Sequence, residues 1–357
     1  MDLIHVSPSQ KLIYDLSLED IAWQLAEWGQ PAYRAKQLWQ GLYRQLWSKP
    51  EEFSSFPKDL RQKLSDSFSF TSLKESQRLY STDGQTTKVL FHLPDGQAIE
   101  TVLMRYSDRR TLCISTQAGC AMGCVFCATG QMGFRRNLSS GEILEQVLYF
   151  ARELREDNER PTNVVLMGMG EPFHNYDNSL AAIDRLSDED GFGMGARRFT
   201  ISTVGLIPAI KRFTAERRQV GLAISLHAAD DDLRLSMLPI NQRYPIKDLI
   251  QACRDYAQST GRRITFEWAL IQGVNDTPEQ ARKLTSLLQG LNCHVNVIPL
   301  NPTRGFAGAR STRERVAEFR SILEAAGISC TVRVRRGIDI NAGCGQLAEH
   351  SGPPMTS

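Results

Sequence analysis

The sequence predicts an α/β protein: a partial (β/α)6 barrel, with a small N-terminal helical domain and a β-hairpin extension ahead of it. Three observations carry this. Between Thr111 and about Arg336, short apolar runs alternate with segments of helical periodicity; strands regularly separated by helices make a parallel sheet with right-handed crossovers. Ahead of that region, two alternating runs flank an Asp-Gly turn, the signal of a hairpin. Ahead of the hairpin, apolar residues recur at helical spacing. The expected bounds are 1–75 for the helical domain, 76–110 for the hairpin, 111–347 for the barrel and 348–357 for a tail. Gly352-Pro353-Pro354 predicts that the tail is disordered.

In the helical domain, Leu18, Ile21, Ala22, Leu25 and Trp28 follow one helix face, and Ser17 can cap it ahead of Asp20. Gly29-Gln30-Pro31 ends that helix. Pro31 starts another, with Ala35, Leu38, Trp39, Leu42, Tyr43 and Leu46 on one side. Aromatics at helical spacing read as core rather than as base-stacking platforms. A docking or RNA-positioning role for the module stays open. The hairpin runs 87–93 and 98–104 enclose Pro94-Asp95-Gly96-Gln97. Alternation places Glu100 on the opposite face from Ile99 and Thr101, and a lone Glu in a strand reads as a solvated residue. In the barrel, strands are expected at 112–115, 163–167, 199–203, 220–226, 264–271, 295–299 and 331–334. Helices are expected at 141–154, 179–186, 246–256, 278–288 and 312–326.

Composition excludes little. The hydrophobic fraction of 41% is ordinary for a globular chain, and the net charge of +2 neither requires nor excludes nucleic acid. No apolar run approaches the length of a membrane span. The N-terminus carries acid early and lacks a basic-then-apolar signal. The expectation is a cytosolic protein, where reduced thiols serve as ligands or catalysts rather than as a disulfide framework.

Cys120, Cys124 and Cys127 are spaced C-x3-C-x2-C in a Gly-rich stretch just after the first barrel strand. Thiolates bind soft metals and iron–sulfur clusters. Three sulfurs leave one iron of a [4Fe–4S] cubane open to an outside ligand, whereas structural zinc wants four closed ligands. The second strand ends in Met167-Gly168-Met169-Gly170-Glu171-Pro172, and later strands end in Ser202-Thr203, Ser225-Leu226-His227 and Asn301-Pro302. Ligands of such folds gather at the C-terminal ends of the strands, so these groups converge on one mouth.

The cysteine loop followed by Gly-Glu-Pro resembles the radical S-adenosylmethionine superfamily. Cys113, Ser225-Leu226-His227-Ala228, Ile298-Pro299-Leu300-Asn301-Pro302 and Ala342-Gly343-Cys344-Gly345-Gln346-Leu347 narrow the resemblance to the RlmN family, bacterial enzymes that methylate C2 of adenosine in RNA. The resemblance implies a radical-SAM-type barrel with Cys120, Cys124 and Cys127 as ligands of a [4Fe–4S] cluster. It implies that Gly170, Glu171, Ser202, Ser225, Leu226, His227 and Asn301 contact S-adenosylmethionine. Cys344 corresponds to the cysteine that is methylated, Cys113 to its resolving partner and Glu100 to the general base. Cys253, Cys293 and Cys330 match no catalytic position, and packing is the better reading of Cys253 and Cys330.

C2 of adenine lies between two ring nitrogens and is electron-poor, so it cannot attack a sulfonium methyl. The resemblance implies a two-stage route using two S-adenosylmethionine molecules per turnover. One methylates Cys344; the other yields a radical that activates that methyl. Addition to C2 crosslinks protein and RNA, and attack by Cys113 releases the product and leaves a disulfide. The implied partners are 23S rRNA, tRNA and a one-electron donor, reduced flavodoxin. Arg105, Arg109-Arg110, Arg135-Arg136, Arg197-Arg198, Arg262-Arg263, Arg333 and Arg335-Arg336 suit phosphates, or else form surface salt bridges. Two other readings stand beside this one: the related Cfr-type C8 enzyme, and a non-enzymatic RNA-binding protein with structural zinc.

Overall fold

The structure is a computed structural model that describes residues 10–333 and 336–348. The N-terminal stretch at 1–6, Val334, Arg335 and the expected tail at 349–357 lie outside the described residues.

At the N-terminus, β1 (Lys11–Leu12) precedes α1 (Leu18–Glu27), α2 (Tyr33–Tyr43) and α3 (Lys58–Ser67), and β2 (Phe68–Ser69) pairs back on β1 in parallel. The Ser17 hydroxyl accepts from Asp20 N–H, and the Asp20 carboxylate accepts from Ser17 N–H, so α1 opens on a capping box. α2 starts at Tyr33, two residues beyond Pro31, and buries Leu38, Trp39, Leu42 and Tyr43. These aromatics are core. The Trp39 indole also donates to Asp188 at 2.7 Å, which docks the module on the barrel.

The chain then forms β3 (Lys74–Tyr80), β4 (Thr86–His92), β5 (Ala98–Arg105) and β6 (Arg110–Cys113). Next, β7 (Gln117–Gly119) and β8 (Phe134–Asn137) pair antiparallel around the cysteine loop and the short α4 (Ala128–Met132). α5 (Ser140–Glu156), β9 (Asn163–Leu166), α6 (Tyr176–Ser187), β10 (Phe199–Thr203), α7 (Ile207–Glu216) and β11 (Gly221–Ser225) follow. α8 (Asp231–Met237), α9 (Ile246–Thr260), β12 (Ile264–Leu270), α10 (Pro278–Leu288), β13 (Cys293–Pro299), α11 (Arg313–Ala325) and β14 (Ser329–Val332) complete the order.

One ten-stranded sheet results, ordered β14-β13-β12-β11-β10-β9-β6-β5-β4-β3. From β6 to β14 every pairing is parallel, as the alternation of strand and helix predicts. The hairpin is no appendage: β5 pairs antiparallel with β6, Val102 opposite Cys113. A third strand, β3, extends it on the outer edge. That strand is polar and largely exposed, so it carries no alternation to read.

The expectation of a solvated Glu100 is corrected: the residue is 1% exposed. Both faces of the hairpin are covered. On one, Phe91 packs on Tyr149 of α5 with ring centroids 4.8 Å apart, and Thr101 donates to Gln146 at 2.7 Å. The other lies under a C-terminal strap, residues 336–348. Asp339 accepts from Thr82 N–H at 2.6 Å, Lys88 reaches the Asn341 carbonyl at 3.2 Å, and Ala348 N–H donates to Glu100 at 2.8 Å. Leaving β14 and landing on β4 and β5, the strap bridges the two ends of the open sheet. Among the described residues no helix is long and apolar enough to cross a membrane.

Candidate active site

The cysteine loop is held at its root. β7 and β8 clip it closed, with Cys120 N–H donating to the Gly133 carbonyl at 3.0 Å. Val125 N–H donates to Met237 at 3.1 Å, and Ala128 N–H reaches Gly345 of the strap at 2.8 Å. Cys120 and Cys124 are buried and Cys127 half-buried. Burial pushes the Cys120 thiol up to about 12 and the Cys124 thiol well above its ordinary value. Thiolates here therefore need positive charge close by, which the irons of a cluster would supply. Among the described residues no group of three or more His, Cys, Asp or Glu is gathered around a single metal ion. A cubane does not ask for one, because each thiolate goes to a different iron. In number, softness and burial, the donor set fits a three-thiolate cluster.

All three cysteines line one cavity of about 160 Å³ at the C-terminal ends of the strands. Gly170, Glu171, Ser202, Ser225, His227, Asn301 and Cys344 line it as well. A larger cleft, about 580 Å³, lies between Tyr43 and Arg44 of the helical module and the residues that precede β9 and β10, where the strands begin.

Glu171 is buried, and its two carboxylate oxygens accept from Phe173 N–H at 2.9 Å and Val204 N–H at 2.8 Å. Burial pushes its carboxyl up to about 7, against the pull of those N–H groups. Ser202 and Ser225 stand with their hydroxyls 3.4 Å apart. His227 has φ +61 and accepts Ala269 N–H on Nδ1 at 2.9 Å. Burial, with the charge of Arg234 adding, lowers its pKa to about 3. The ring is thus neutral, with its proton on Nε2. Asn301 donates to the Cys344 carbonyl at 3.1 Å, so it grips the strap as well as facing the cavity.

Cys344 is exposed at the mouth. Gly343 before it has no room for a side chain: a Cβ would lie 2.6 Å from Asn301 Nδ2. Arg333 Nη1 stands 3.7 Å from Cys344 Sγ. Cys113, half-buried at the end of β6, is near enough to feel the charge of Cys344. Burial pushes its thiol up to about 12, the Cys344 charge adds to that, and Arg333 pulls it down. Glu100 lies beside the strap rather than in the cavity wall. One of its oxygens pairs with Lys88 at 2.7 Å, with both side chains buried, and the other accepts Ala348 N–H at 2.8 Å.

The structure thus gathers the expected cluster, S-adenosylmethionine and cysteine positions around one mouth. Leu226 differs: it is fully buried and outside the cavity lining, its carbonyl held by Arg234 at 3.1 Å. The sequence reading missed Arg234. Fully buried, it also binds the carbonyls of Val204 at 2.6 Å and Ser225 at 3.3 Å, tying the ends of β10 and β11 together. Several clustered arginines are engaged within the chain. Arg105 and Arg110 pair with Glu159, Arg136 pairs with Asp95 and Glu142, and Arg109 and Arg336 lie over the Tyr106 ring.

Comparison with known proteins agrees with this geometry. The Radical SAM superfamily model matches residues 114–285. A protein of Chloroflexus aurantiacus named probable dual-specificity RNA methyltransferase RlmN is 48% identical over 99% of this chain and 97% of its own length. A Myxococcus xanthus protein named dual-specificity RNA methyltransferase RlmN 1 is 49% identical over 94% of this chain and 93% of its own. The crystal structure of a radical SAM methyltransferase from Sphaerobacter thermophilus superposes with a TM-score of 0.93 at 50% identity, covering 95% of this chain and 100% of that one. Identity of this order along nearly the whole chain, joined to a three-cysteine loop at the barrel mouth, places it in the RlmN family of radical SAM RNA methyltransferases.

Proposed function

We propose that this enzyme methylates C2 of adenosine in 23S rRNA and in tRNA, with Cys344 as methyl carrier, Cys113 as resolving thiol and Glu100 as base. The observation that supports it most directly is the placement of Cys344. It sits on a strap pinned over the cluster loop, in the wall of the same cavity as Cys120, Cys124 and Cys127, with Cys113 close by. Cys120, Cys124 and Cys127 would hold a [4Fe–4S] cluster. Gly170, Glu171, Ser202, Ser225, His227 and Asn301 would hold S-adenosylmethionine, while Leu226 would support them from behind. When bound, these groups supply the methyl and the one-electron chemistry that activates it, two S-adenosylmethionine molecules per turnover, with reduced flavodoxin as donor in the cytoplasm.

The residues divide the remaining work. The Cys344 thiolate displaces the methyl from sulfur. Its exposure at the mouth lets the RNA base reach the carbon it then carries. Glu100 takes the C2 proton. Lys88 and the Ala348 N–H hold its carboxylate in place for this. The Cys113 thiolate attacks the Cys344 sulfur; the S–S bond forms as the S–C bond breaks, the electron pair passes to the RNA side, a proton completes the methyl there, and a two-electron reductant restores both thiols. Arg333, which pulls the Cys113 thiol down, favours the attacking form. RlmN names among the relatives do not favour the C8 alternative, and family membership sets aside the non-enzymatic zinc reading.

The two cysteines should fail differently. Cys344→Ala should give neither product nor crosslink. Cys113→Ala should accumulate protein joined to RNA, seen as an RNase-sensitive shift on a denaturing gel. Wild-type turnover by Cys113→Ala with no trapped RNA would overturn the assignment.

A further inference from the structure

Glu267 lies within β12, is 4% exposed and lines the cavity. Its register partners are Ser225 on β11 and Asn296 on β13, so the three side chains share one face of the parallel sheet. One carboxylate oxygen is fixed: Asn296 Nδ2 donates to Oε1 at 3.0 Å, and Asn296 is itself held by His294 at 3.1 Å. The other, Oε2, is buried and has no hydrogen-bond partner among the described residues. Arg333 lines the same cavity and feels the charge of Glu267. A buried acceptor without a partner costs free energy. At a ligand cavity, the partner that would satisfy it is the ligand.

We propose that Oε2 of Glu267 accepts a hydrogen bond from a ribose hydroxyl of S-adenosylmethionine. This rests on the reading that the cavity is the S-adenosylmethionine site. The ligand offers three kinds of donor. Its ammonium belongs to the amino-acid end, which would go to the cysteine-loop side of the cavity. The adenine amino group is flanked by ring nitrogens that accept, and these would face a carboxylate with like polarity. The ribose diol presents two adjacent hydroxyls that both donate and accept. Glu267 continues a polar row across three neighbouring strands, from the paired hydroxyls of Ser202 and Ser225, and hydroxyls beside a carboxylate suit a diol. A carboxylate on a ribose hydroxyl is a recurrent way of holding nucleosides.

The test is calorimetric binding of S-adenosylhomocysteine, and of its 2′-deoxy and 3′-deoxy forms, to the cluster-loaded enzyme under anaerobic conditions. Glu267→Ala should weaken the parent ligand by roughly tenfold to a hundredfold, the range for hydrogen bonds to charged groups. One deoxy form should bind the wild type weakly by a similar factor. That form should lose nothing further in Glu267→Ala, because the bond is already gone. If both deoxy forms bind the wild type as the parent does, the proposal is overturned, and this arm needs no variant to fold. If Glu267→Ala binds the parent normally but raises KM for RNA, the carboxylate serves the RNA and the ribose assignment falls. Glu171→Ala separates the two levels. Unchanged affinity there removes the cavity reading itself, whereas weakened affinity there beside an unaffected Glu267→Ala removes only the ribose contact.

Discussion

Burial decides the protonation of His227 before any ligand arrives. Its ordinary pKa near 6.5 falls to about 3, and Nδ1 must stay bare to accept Ala269 N–H. Between about pH 6.5 and 3 the unfolded chain therefore binds a proton that the folded chain refuses. Stability should fall as pH drops through that window, by up to about 1.4 kcal/mol per unit. His227→Asn keeps an acceptor near Nδ1, tolerates the positive φ and removes the titration. Urea unfolding at pH 7 and pH 5 should show the wild type losing about 2 kcal/mol more than the variant; equal losses would refute the neutral-imidazole account. His227 was legible in the sequence because Ser-Leu-His ends a strand at the mouth. Glu267 left a signal that was not used: a charge inside the apolar run 264–271, where a buried strand has no reason for one. Arg234 left none, since apart from the Asn241 side chain its partners are backbone carbonyls, which every sequence provides.

At the scale of elements, the clip of β7 and β8 sets the shape of the cysteine loop. Gly119 has φ +69, and a Cβ there would run into the Gly133 carbonyl oxygen, the same oxygen that accepts Cys120 N–H. Gly119→Ala should open the clip and cost on the order of 1–3 kcal/mol. Purified anaerobically, it should hold well under half the wild-type iron. Gly133 also has positive φ, but a Cβ there meets nothing within 4 Å, so Gly133→Ala should lose less. Equal iron content in all three proteins would show that the clip does not shape the loop. Neither β7 nor β8 was legible. Each is short, and their pairing is a property of the loop they enclose. The barrel strands were legible to within two residues at each end, because apolar runs between amphipathic helices report burial directly. α7 was missed; it is short and carries Pro208 in its first turn.

For the whole molecule, the strap converts an open sheet into an enclosed site. It buries the Lys88–Glu100 pair and brings Cys344 over the cluster loop. A chain ending at Arg333 keeps every strand of the sheet. It should still load iron and show cluster absorption, melt several degrees lower and take up no methyl from labelled S-adenosylmethionine. A soluble truncated chain that loads no iron would show instead that the strap is needed to form the loop. The open sheet was legible from its alternation of elements. The strap was not, because its hold depends on partners as distant as Thr82 and Asp339, 257 positions apart. That distance also orders events in time. A ribosome delivers the cluster loop more than two hundred residues before Cys344, so the three thiols of that loop exist well before the exposed thiol that the strap lays over them.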